Sequence, residues 1–375
     1  MRVLVAMSGG VDSSTVAGLL HEAGHEVIGV TLQLYDHGAA SARKGACCAG
    51  QDIHDARRVA DGLGIPHYVL DREARFRAAV IEDFADRYAA GETPVPCVRC
   101  NQRVKFADLL TLADDLGAEA LATGHYVRRI DTAAGPELHR AADKARDQSW
   151  FLFATTRAEL ARTLFPLGAM ADKAAVRAEA ARLGLAVAAK PDSQDLCFVP
   201  TGSYAELVTR LRPEAAEPGE IVTAEGRVLG RHDGIAGYTV GQGKRLGAAS
   251  MADGARQIVT AIDPARRRIV VGPPASGTRD VWLAEPNWLI EPPVAPLRCT
   301  VKLRAREVPQ PASVFLTAAG ARVRLDAPAL PAPGQACVFY DGDRVLGGGF
   351  IARAQAAAHS SISVSSTKLP SAAIS

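Results

Sequence analysis

A chain of 375 residues exceeds one ordinary domain, and its 48% hydrophobic and 22% charged residues are ordinary for a globular protein. The formal net charge of +2 excludes any inference of a polyanionic partner from overall charge, so such a partner would need a local basic surface. No apolar run reaches the roughly 20 residues of a membrane span, and the first strand leaves no room for a signal peptide. We therefore expect a cytoplasmic protein without membrane contact.

Short apolar runs alternate with helical patterns through about residue 200. Candidate strands lie at 3–6, 27–34, 67–70 and 118–123, and residues 52–63 place Ile53, Ala56, Val59 and Leu63 on one helix face. This alternation predicts an α/β fold, a parallel sheet with helices on both faces. Ligands of such sheets bind beyond the carboxyl ends of the strands.

The first strand leads directly into a glycine-rich segment, residues 7–14, that reads Met-Ser-Gly-Gly-Val-Asp-Ser-Ser. Adjacent glycines allow a tight turn, and the N–H groups at the start of the following helix attract an anion. The segment resembles the Ser-Gly-Gly-x-Asp-Ser pyrophosphate loop of ATP pyrophosphatases, in which Asp12 would help to hold magnesium. It contains no lysine, unlike the phosphate loop that ends in Gly-Lys-Ser/Thr. The alternative is a Gly-Gly turn before a serine-capped helix.

From about residue 205 the pattern changes to short strands separated by Gly, Asp and Pro, with a Pro-rich connection at 291–296. We expect an N-terminal domain over 1–204, a small central β-rich domain over 205–275 and a C-terminal β domain over 276–353. Residues 354–375 are rich in Ala and Ser and predict a disordered tail.

Seven cysteines, an odd number, do not form a secreted disulfide pattern, so chemistry or metal binding is the expected use. Cys100 is flanked by Arg99, Arg103 and Lys105, and cationic neighbours lower the pKa of a thiol. Cys197 lies in the segment 190–198. A metal or iron–sulfur cluster is an alternative use of the cysteines at 47, 48, 97, 100 and 197, and their spacing does not decide. Cys299 and Cys337 lie in apolar strand-like runs and are expected in the core.

Further motifs occur at 122–126, 146–152, 237–242, 334–340 and 346–349. Together with the loop and the two cysteine segments, they resemble the tRNA 2-thiouridylase family over nearly the whole chain apart from the tail. The resemblance implies ATP-dependent 2-thiolation of the wobble uridine of tRNA, by adenylation of O2 and sulfur transfer from a cysteine persulfide. It also implies an adenine nucleotide α-hydrolase-like ATP-pyrophosphatase domain, a linking β domain and a C-terminal β-barrel, which clamp the anticodon arm.

The resemblance assigns roles to individual positions. Cys197 matches the persulfide carrier, and Cys100 matches its partner, which either assists sulfur release or forms a disulfide with Cys197. The implied ATP-binding residues are Ala6, Met7, Ser8, Gly9, Gly10, Val11, Asp12, Ser13, Leu32 and Gly124, and the implied tRNA-binding residues are Arg146, Asp147, Gln148, Arg304 and Ala305. The implied partners are tRNAs for Glu, Gln and Lys and a persulfide donor protein, either a cysteine desulfurase or a sulfur relay protein.

The chain departs from the family pattern at several positions. It has Val95-Pro96-Cys97 where Asn-Pro-Asp is common, so an acidic group toward the base is missing, and Ala305 replaces a tyrosine. His125 is interpreted either as a core histidine or as an ATP or base contact. Other functions stay open: a sulfurtransferase acting on another base, an amidating synthetase, or a non-catalytic RNA-binding or sulfur-carrier protein. No segment resembles a glutaminase domain, which disfavours amidation from glutamine.

Overall fold

The computed structural model describes residues 1–35, 48–192, 196–199, 203–252 and 254–353. Its N-terminal part contains a five-stranded parallel sheet with the order β3-β2-β1-β4-β7. The strands are β1 (Arg2–Ala6), β2 (Glu26–Gln33), β3 (His67–Asp71), β4 (Ala120–Ala122) and β7 (Thr163–Leu164). The predicted α/β fold is confirmed.

Helices cover both faces of this sheet because β1 is apolar on both sides. Leu4 packs into one buried cluster with Phe106 and Leu109, while Val3 packs into another with Val16. The helices are α1 (Val11–Glu22), α2 (Cys48–Leu63), α3 (Glu73–Phe76), α4 (Asp83–Ala89), α5 (Pro96–Cys100), α6 (Phe106–Asp115), α7 (Arg157–Ala161) and α8 (Lys173–Arg182).

Two pairs of these helices are each joined into one continuous helix through a π turn. Residues Arg77–Glu82 join α3 to α4, and Asn101–Lys105 join α5 to α6. The second continuous helix, residues 96–115, carries Cys97 and Cys100 and is called the cysteine helix below. Single π turns inside α-helices are frequent at functional sites.

An antiparallel hairpin interrupts the expected α/β pattern. It consists of β5 (Val127–Thr132) and β6 (Gly135–Arg140), and it joins the sheet of the C-terminal domain through β6. The Arg140 N–H donates to the Asp343 carbonyl at 2.8 Å, and Arg128 pairs with the Asp343 carboxylate at 3.0 Å. The hairpin thus shares a sheet with the last strand of the described residues, Arg344–Ile351.

The central region begins with α9 (Tyr204–Leu211) and forms a four-stranded sheet with the order β12-β13-β8-β9. Its strands are β8 (Gly219–Thr223), β9 (Val228–His232), β12 (Ile258–Asp263) and β13 (Arg268–Gly272), with a short pair β10 (Met251–Ala252) and β11 (Ala255–Arg256). Its core packs against Phe84 and Tyr88 of α4, which ties it to the N-terminal domain.

The C-terminal region is a closed barrel of six antiparallel strands. They are β14 (Thr278–Trp288), β15 (Leu297–Lys302), β16 (Gln310–Thr317), β17 (Gly320–Ala329), β18 (Ala336–Asp341) and β19 (Arg344–Ile351), and pairing of β14 with β19 closes the circle. Cys299 and Cys337 lie in its core, as expected. The predicted tail 354–375 and the side chains of Cys47 and Cys48 lie outside the described residues. In the described ranges no helix is both long and apolar enough to cross a membrane.

Candidate active site

The turn between β1 and α1, residues Met7–Gly10, is called the glycine loop below. Gly9 has φ +72°, and a Cβ there would lie 2.1 Å from the Asp52 carbonyl oxygen, so only glycine fits. The Ser8 N–H donates to Ser13 Oγ at 3.0 Å, which folds the loop over the first turn of α1. The first N–H groups of α1 have no partner within the helix, and the helix dipole favours an anion at this point.

Asp12, in the first turn of α1, has two protein partners. Lys173 Nζ lies 2.7 and 2.8 Å from its two carboxylate oxygens, and the Tyr126 hydroxyl donates to it at 2.6 Å. Lys173 also contacts Asp192 at 2.8 Å, and Asp192 pairs with Arg146 at 2.8 Å. Asp12 therefore lies beside the Lys173 ammonium group, which a bound nucleotide would also contact.

A second lysine holds the glycine loop from the other side. Lys190 Nζ donates to the Gly9 carbonyl at 3.0 Å and to carboxylates of Asp52 and Asp55 at 2.7 and 2.6 Å. The loop has no lysine of its own, and the fold brings Lys173 and Lys190 to it from distant segments. Sequence reasoning did not single out either residue, although Lys190 begins the segment that contains Cys197.

A cavity of about 250 Å³ opens next to the glycine loop, beyond the carboxyl ends of β1, β2 and β4. The predicted ATP-binding residues that line it are Ala6, Met7, Ser8, Asp12, Ser13, Leu32 and Gly124. Gly9, Gly10 and Val11 shape the loop behind it. The cavity has an apolar wall from Val30, Leu32, Leu109 and Leu121 opposite the polar loop. This combination suits an adenine base with an attached polyphosphate, for which Asp12 offers a magnesium ligand.

His125 lines the same cavity. Its Nδ1 lies 2.8 Å from the Thr123 hydroxyl, and its ring stacks on Phe106. Burial, with a smaller contribution from Lys105, lowers the pKa of His125 to about 3. The ring is therefore neutral at physiological pH, and it acts in the cavity wall as an uncharged hydrogen-bonding group.

The three predicted cysteines come together near the cavity. Cys100 is buried, Cys97 and Cys197 are exposed, and all three are free thiols. Removal of water by the surrounding protein raises the pKa of Cys97 and Cys100, and that of Cys197 to about 12. The charge of Cys100 further raises the pKa of Cys197, so the two sulfurs are close enough to interact. Phe198, next to Cys197, packs edge-on against Phe76 and Phe84 and anchors this segment.

The expectation that flanking cations lower the thiol pKa holds for Lys105 alone among the three, and the net pKa of each thiol is raised. Burial dominates, and two of the three cations are neutralised by carboxylates. Arg99 makes two 2.7 Å hydrogen bonds to Glu285 of the barrel, and Arg103 lies 3.2 Å from Asp83. Among the described residues, Lys105 is the cation that lowers the pKa of all three thiols.

The predicted tRNA-binding residues occupy different environments. The Asp147 side chain is buried and accepts hydrogen bonds from Arg140 and Ser149 at 3.0 Å, so its carboxylate shapes the loop around it. Gln148 lines the cavity and accepts the Tyr126 N–H at 2.9 Å. The other three are arranged differently: Arg146 is partly exposed, Arg304 donates to the Val240 carbonyl of the central domain at 3.2 Å, and Ala305 packs against the core.

The alternative use of the cysteines is a metal or iron–sulfur cluster. Within the described ranges, no three His, Cys, Asp or Glu side chains are grouped in a way that could hold a metal ion. Cys97, Cys100 and Cys197 therefore do not form a preassembled cluster site in this structure.

Family models match the chain in three consecutive segments. Residues 1–201 match a tRNA methyl transferase HUP domain, residues 207–273 a tRNA methyl transferase PRC-barrel domain, and residues 278–351 an aminomethyltransferase beta-barrel domain. The first match and the loop geometry define a protein of the ATP-pyrophosphatase loop class with two β domains attached.

Similarity to curated proteins is high over nearly the full length. The chain is 72% identical to the tRNA-specific 2-thiouridylase MnmA of Acidiphilium cryptum, over 94% of this chain and 100% of that protein. It is 64% identical to the protein of the same name from Gluconobacter oxydans, over 94% and 99%. A third, from Rhodospirillum centenum, is 60% identical over 95% and 92%. The chain belongs to the tRNA-specific 2-thiouridylase family.

Proposed function

We propose that this enzyme uses ATP to replace the C2 oxygen of the wobble uridine of tRNA with sulfur. One observation supports this most strongly: the glycine loop and the cysteine helix line the same cavity, through Ser8 and Lys105. A site that activates an oxygen with ATP and then attacks the same carbon with sulfur needs these two elements side by side.

The first step binds ATP and activates the uridine. The glycine loop and the start of α1 hold the outer phosphates, and Lys173 and Lys190 supply the positive charge that the loop lacks. Magnesium, held by Asp12, would neutralise the pyrophosphate as it leaves. The uridine O2 bonds to the α-phosphorus, pyrophosphate departs, and AMP becomes the leaving group on C2.

The second step transfers sulfur. The terminal sulfur of a Cys197 persulfide attacks C2, and the C2–O bond breaks with its electrons leaving on AMP. The Cys100 thiolate then attacks the Cys197 sulfur, which breaks the S–S bond, leaves 2-thiouridine and forms a Cys100–Cys197 disulfide. A thiol reductant restores both thiols, and a persulfide donor protein reloads Cys197. In the alternative route, the Cys100 thiolate attacks the inner sulfur of the Cys197 persulfide first, which forms the Cys100–Cys197 disulfide and releases hydrosulfide, and the hydrosulfide then attacks C2.

The tRNA is proposed to lie across all three domains, with its wobble base flipped into the cavity. Arg146, Gln148, Arg304 and Ala305 are the proposed contacts, and the loop shaped by Asp147 positions its neighbours. Contacts of the arginines with the tRNA phosphates carry no sequence information. The tRNAs implied by the resemblance, those for Glu, Gln and Lys, would therefore be selected through contacts with their bases.

The test is a reconstituted reaction. Purified protein is incubated with ATP, magnesium, sulfide and unmodified tRNA, and nucleosides from the digested tRNA are analysed by mass spectrometry. We expect 2-thiouridine together with pyrophosphate. A sulfurtransferase on another base would yield a different thionucleoside, and a binding or carrier protein would release no pyrophosphate. Dependence on added iron would favour a cluster at the cysteines.

The cysteine roles are tested separately with a persulfide donor. Cys197→Ser should release pyrophosphate but form no 2-thiouridine, because adenylation needs no thiol. Cys100→Ser should load persulfide on Cys197 and stall afterwards. Mapping of a Cys97–Cys197 disulfide, with full activity of Cys100→Ser, would move the partner role to Cys97.

A further inference from the structure

Lys105 differs from the two other basic residues near Cys100, Arg99 and Arg103, because it forms no ion pair with a carboxylate of the described residues. Of the three cations around this cysteine, Arg99 is 2% exposed and held by Glu285, and Arg103 is held by Asp83. Among the described residues, no carboxylate lies within ion-pair distance of the Lys105 ammonium group. Its positive charge is therefore not neutralised by any carboxylate in the part of the chain that the structure describes.

The π turn in the cysteine helix explains how Lys105 reaches the thiols. In a regular α-helix, two residues five positions apart point about 140° away from each other. The turn Asn101–Lys105 has i to i+5 hydrogen bonding, which brings Lys105 back toward the face of Cys100. The same side chain lines the nucleotide cavity beside Ser13 and His125. Lys105 therefore lies at the boundary between the thiols and the nucleotide cavity.

We propose that Lys105 supplies the cation that stabilises the anionic sulfur of the Cys100–Cys197 pair next to the nucleotide cavity. The inference rests on the proposed sulfur transfer, because that reaction requires an anionic sulfur on Cys100 and on Cys197. Desolvation by the surrounding protein opposes ionisation of both thiols, and an adjacent ammonium group is the ordinary way to offset it.

The electrostatic surroundings of the thiols agree with this assignment. In the described part of the chain, the groups that act on the charge of Cys100 and Cys197 are the other thiols, the Phe198 N–H and Lys105. The thiols in turn raise the pKa of Lys105 against the opposing effect of its burial. His125 is neutral, so it adds no competing charge.

The test compares Lys105→Met, which removes the charge, with Lys105→Arg, which keeps it. Arg103→Met is the matched control, because it removes a neighbouring cation that is already paired. Alkylation of Cys100 and Cys197 by iodoacetamide is followed across pH by peptide mass mapping, without ATP or tRNA. We expect Lys105→Met to raise the alkylation midpoint by about one pH unit or more, a roughly tenfold loss of rate near pH 8. Lys105→Arg and Arg103→Met should stay within about 0.3 unit of wild type.

An unchanged midpoint in Lys105→Met, or an equal shift in Arg103→Met, overturns the proposal. Lys105→Gln provides a second neutral variant if Lys105→Met does not fold. A kinetic comparison adds a further test: 2-thiouridine formation should fall more than pyrophosphate release in the neutral variants. Equal losses with an unchanged midpoint would assign Lys105 to the nucleotide alone. The alkylation assay needs no substrate. If Lys105→Met shifts the midpoint but the wild type makes no 2-thiouridine, the proposed function is refuted and the charge effect is not.

Discussion

Asp12 is held in place by Lys173 and Tyr126 before any ligand arrives. Such an ion pair keeps the carboxylate oriented, so a metal–nucleotide complex meets an ordered site. Lys173 also neutralises the Asp12 carboxylate when the site holds no substrate. The geometry predicts that charge at position 12 matters for chemistry more than for folding.

We expect Asp12→Asn to reduce pyrophosphate release at least about 100-fold, because it removes the carboxylate that would hold magnesium. The affinity for tRNA should change less than about twofold, and the unfolding midpoint should stay close to wild type because Lys173 keeps Asp192 as a partner. Pyrophosphate release with tRNA and filter binding of tRNA measure the two effects. Asp131→Asn, at an exposed hairpin carboxylate, is the matched control. Near-normal turnover in Asp12→Asn would contradict the ATP assignment.

His125 links stability to pH. Its folded-state pKa is about 3, against an ordinary value of 6.5, so between these values the unfolded chain binds a proton that the folded chain does not. Stability therefore falls as pH drops below 6.5, by up to about 1.4 kcal/mol per pH unit from this group. We expect His125→Gln to flatten the loss of unfolding free energy between pH 6.5 and 4.5 in urea titrations. An equally steep loss in the variant would contradict a buried neutral His125.

The sequence predicted the residues near the site where they belong to one contiguous motif. Ser8, Gly9 and Asp12 follow one strand without interruption, so the loop could be inferred from adjacent positions. Lys173 lies 161 positions from Asp12, and nothing local marks its contact. The electrostatic environment of the thiols was not predictable from local sequence either, because Arg99 is neutralised by Glu285, 186 positions away.

At the scale of elements, the glycine loop depends on its contact with α2. The loop approaches the start of that helix at Gly9, whereas Gly10 next to it has open space, with its nearest potential contact 3.7 Å away at Ser8 Oγ. The two glycines therefore have different functions, one in close packing and one at the start of α1.

This difference predicts unequal effects of alanine. Gly9→Ala should lower the unfolding free energy by roughly 2 kcal/mol or more, because it adds left-handed strain and a clash with backbone. Gly10→Ala should change it by less than about 0.5 kcal/mol, since φ is −91° there. Thermal and urea unfolding of both variants provide the comparison. Equal stability of the two variants would show that α2 does not pack against the loop as described.

Elements with their own apolar period were predicted well, and the hairpin β5–β6 was not. Strands β1, β2 and β3 are continuous apolar runs, and their observed bounds differ from the predicted ones by a residue or so. The hairpin carries charged residues on both strands, and its packing partner lies in the barrel. Its place in the sheet is set by tertiary pairing, which a local pattern does not report.

For the whole molecule, the pair between Arg99 and Glu285 connects the cysteine helix to the barrel. The Arg99 guanidinium lies 3.8 Å from the centre of the Phe350 ring, and Glu285 has φ +50° where β14 bends. A residue held in this conformation by a buried charge partner indicates a fixed joint between the two domains. The cysteine helix is thereby held to the barrel one residue before Cys100.

We expect Glu285→Gln to lower the unfolding free energy by roughly 2 kcal/mol, because it leaves the buried Arg99 charge without its carboxylate. Glu291→Gln is the matched control, since that carboxylate is 83% exposed in its pair with Arg157 and should contribute less than about 0.5 kcal/mol. Urea unfolding of both variants measures the difference. A loss in Glu285→Gln no larger than in Glu291→Gln would mean that the joint does not hold the domains together.

The shared sheet between β6 and β19 has a consequence during synthesis on the ribosome. Arg128 and its partner Asp343 are 215 positions apart, so at roughly 5 to 20 residues per second the hairpin waits some tens of seconds for its neighbour. Throughout that interval one edge of β6 is open, and open edges recruit other chains. Glu137, His139 and Arg140 place charged or polar groups along this strand, and Glu137 later pairs with Arg344 at 3.0 Å. The side chains that bind the finished barrel can thus also protect the nascent chain from aggregation.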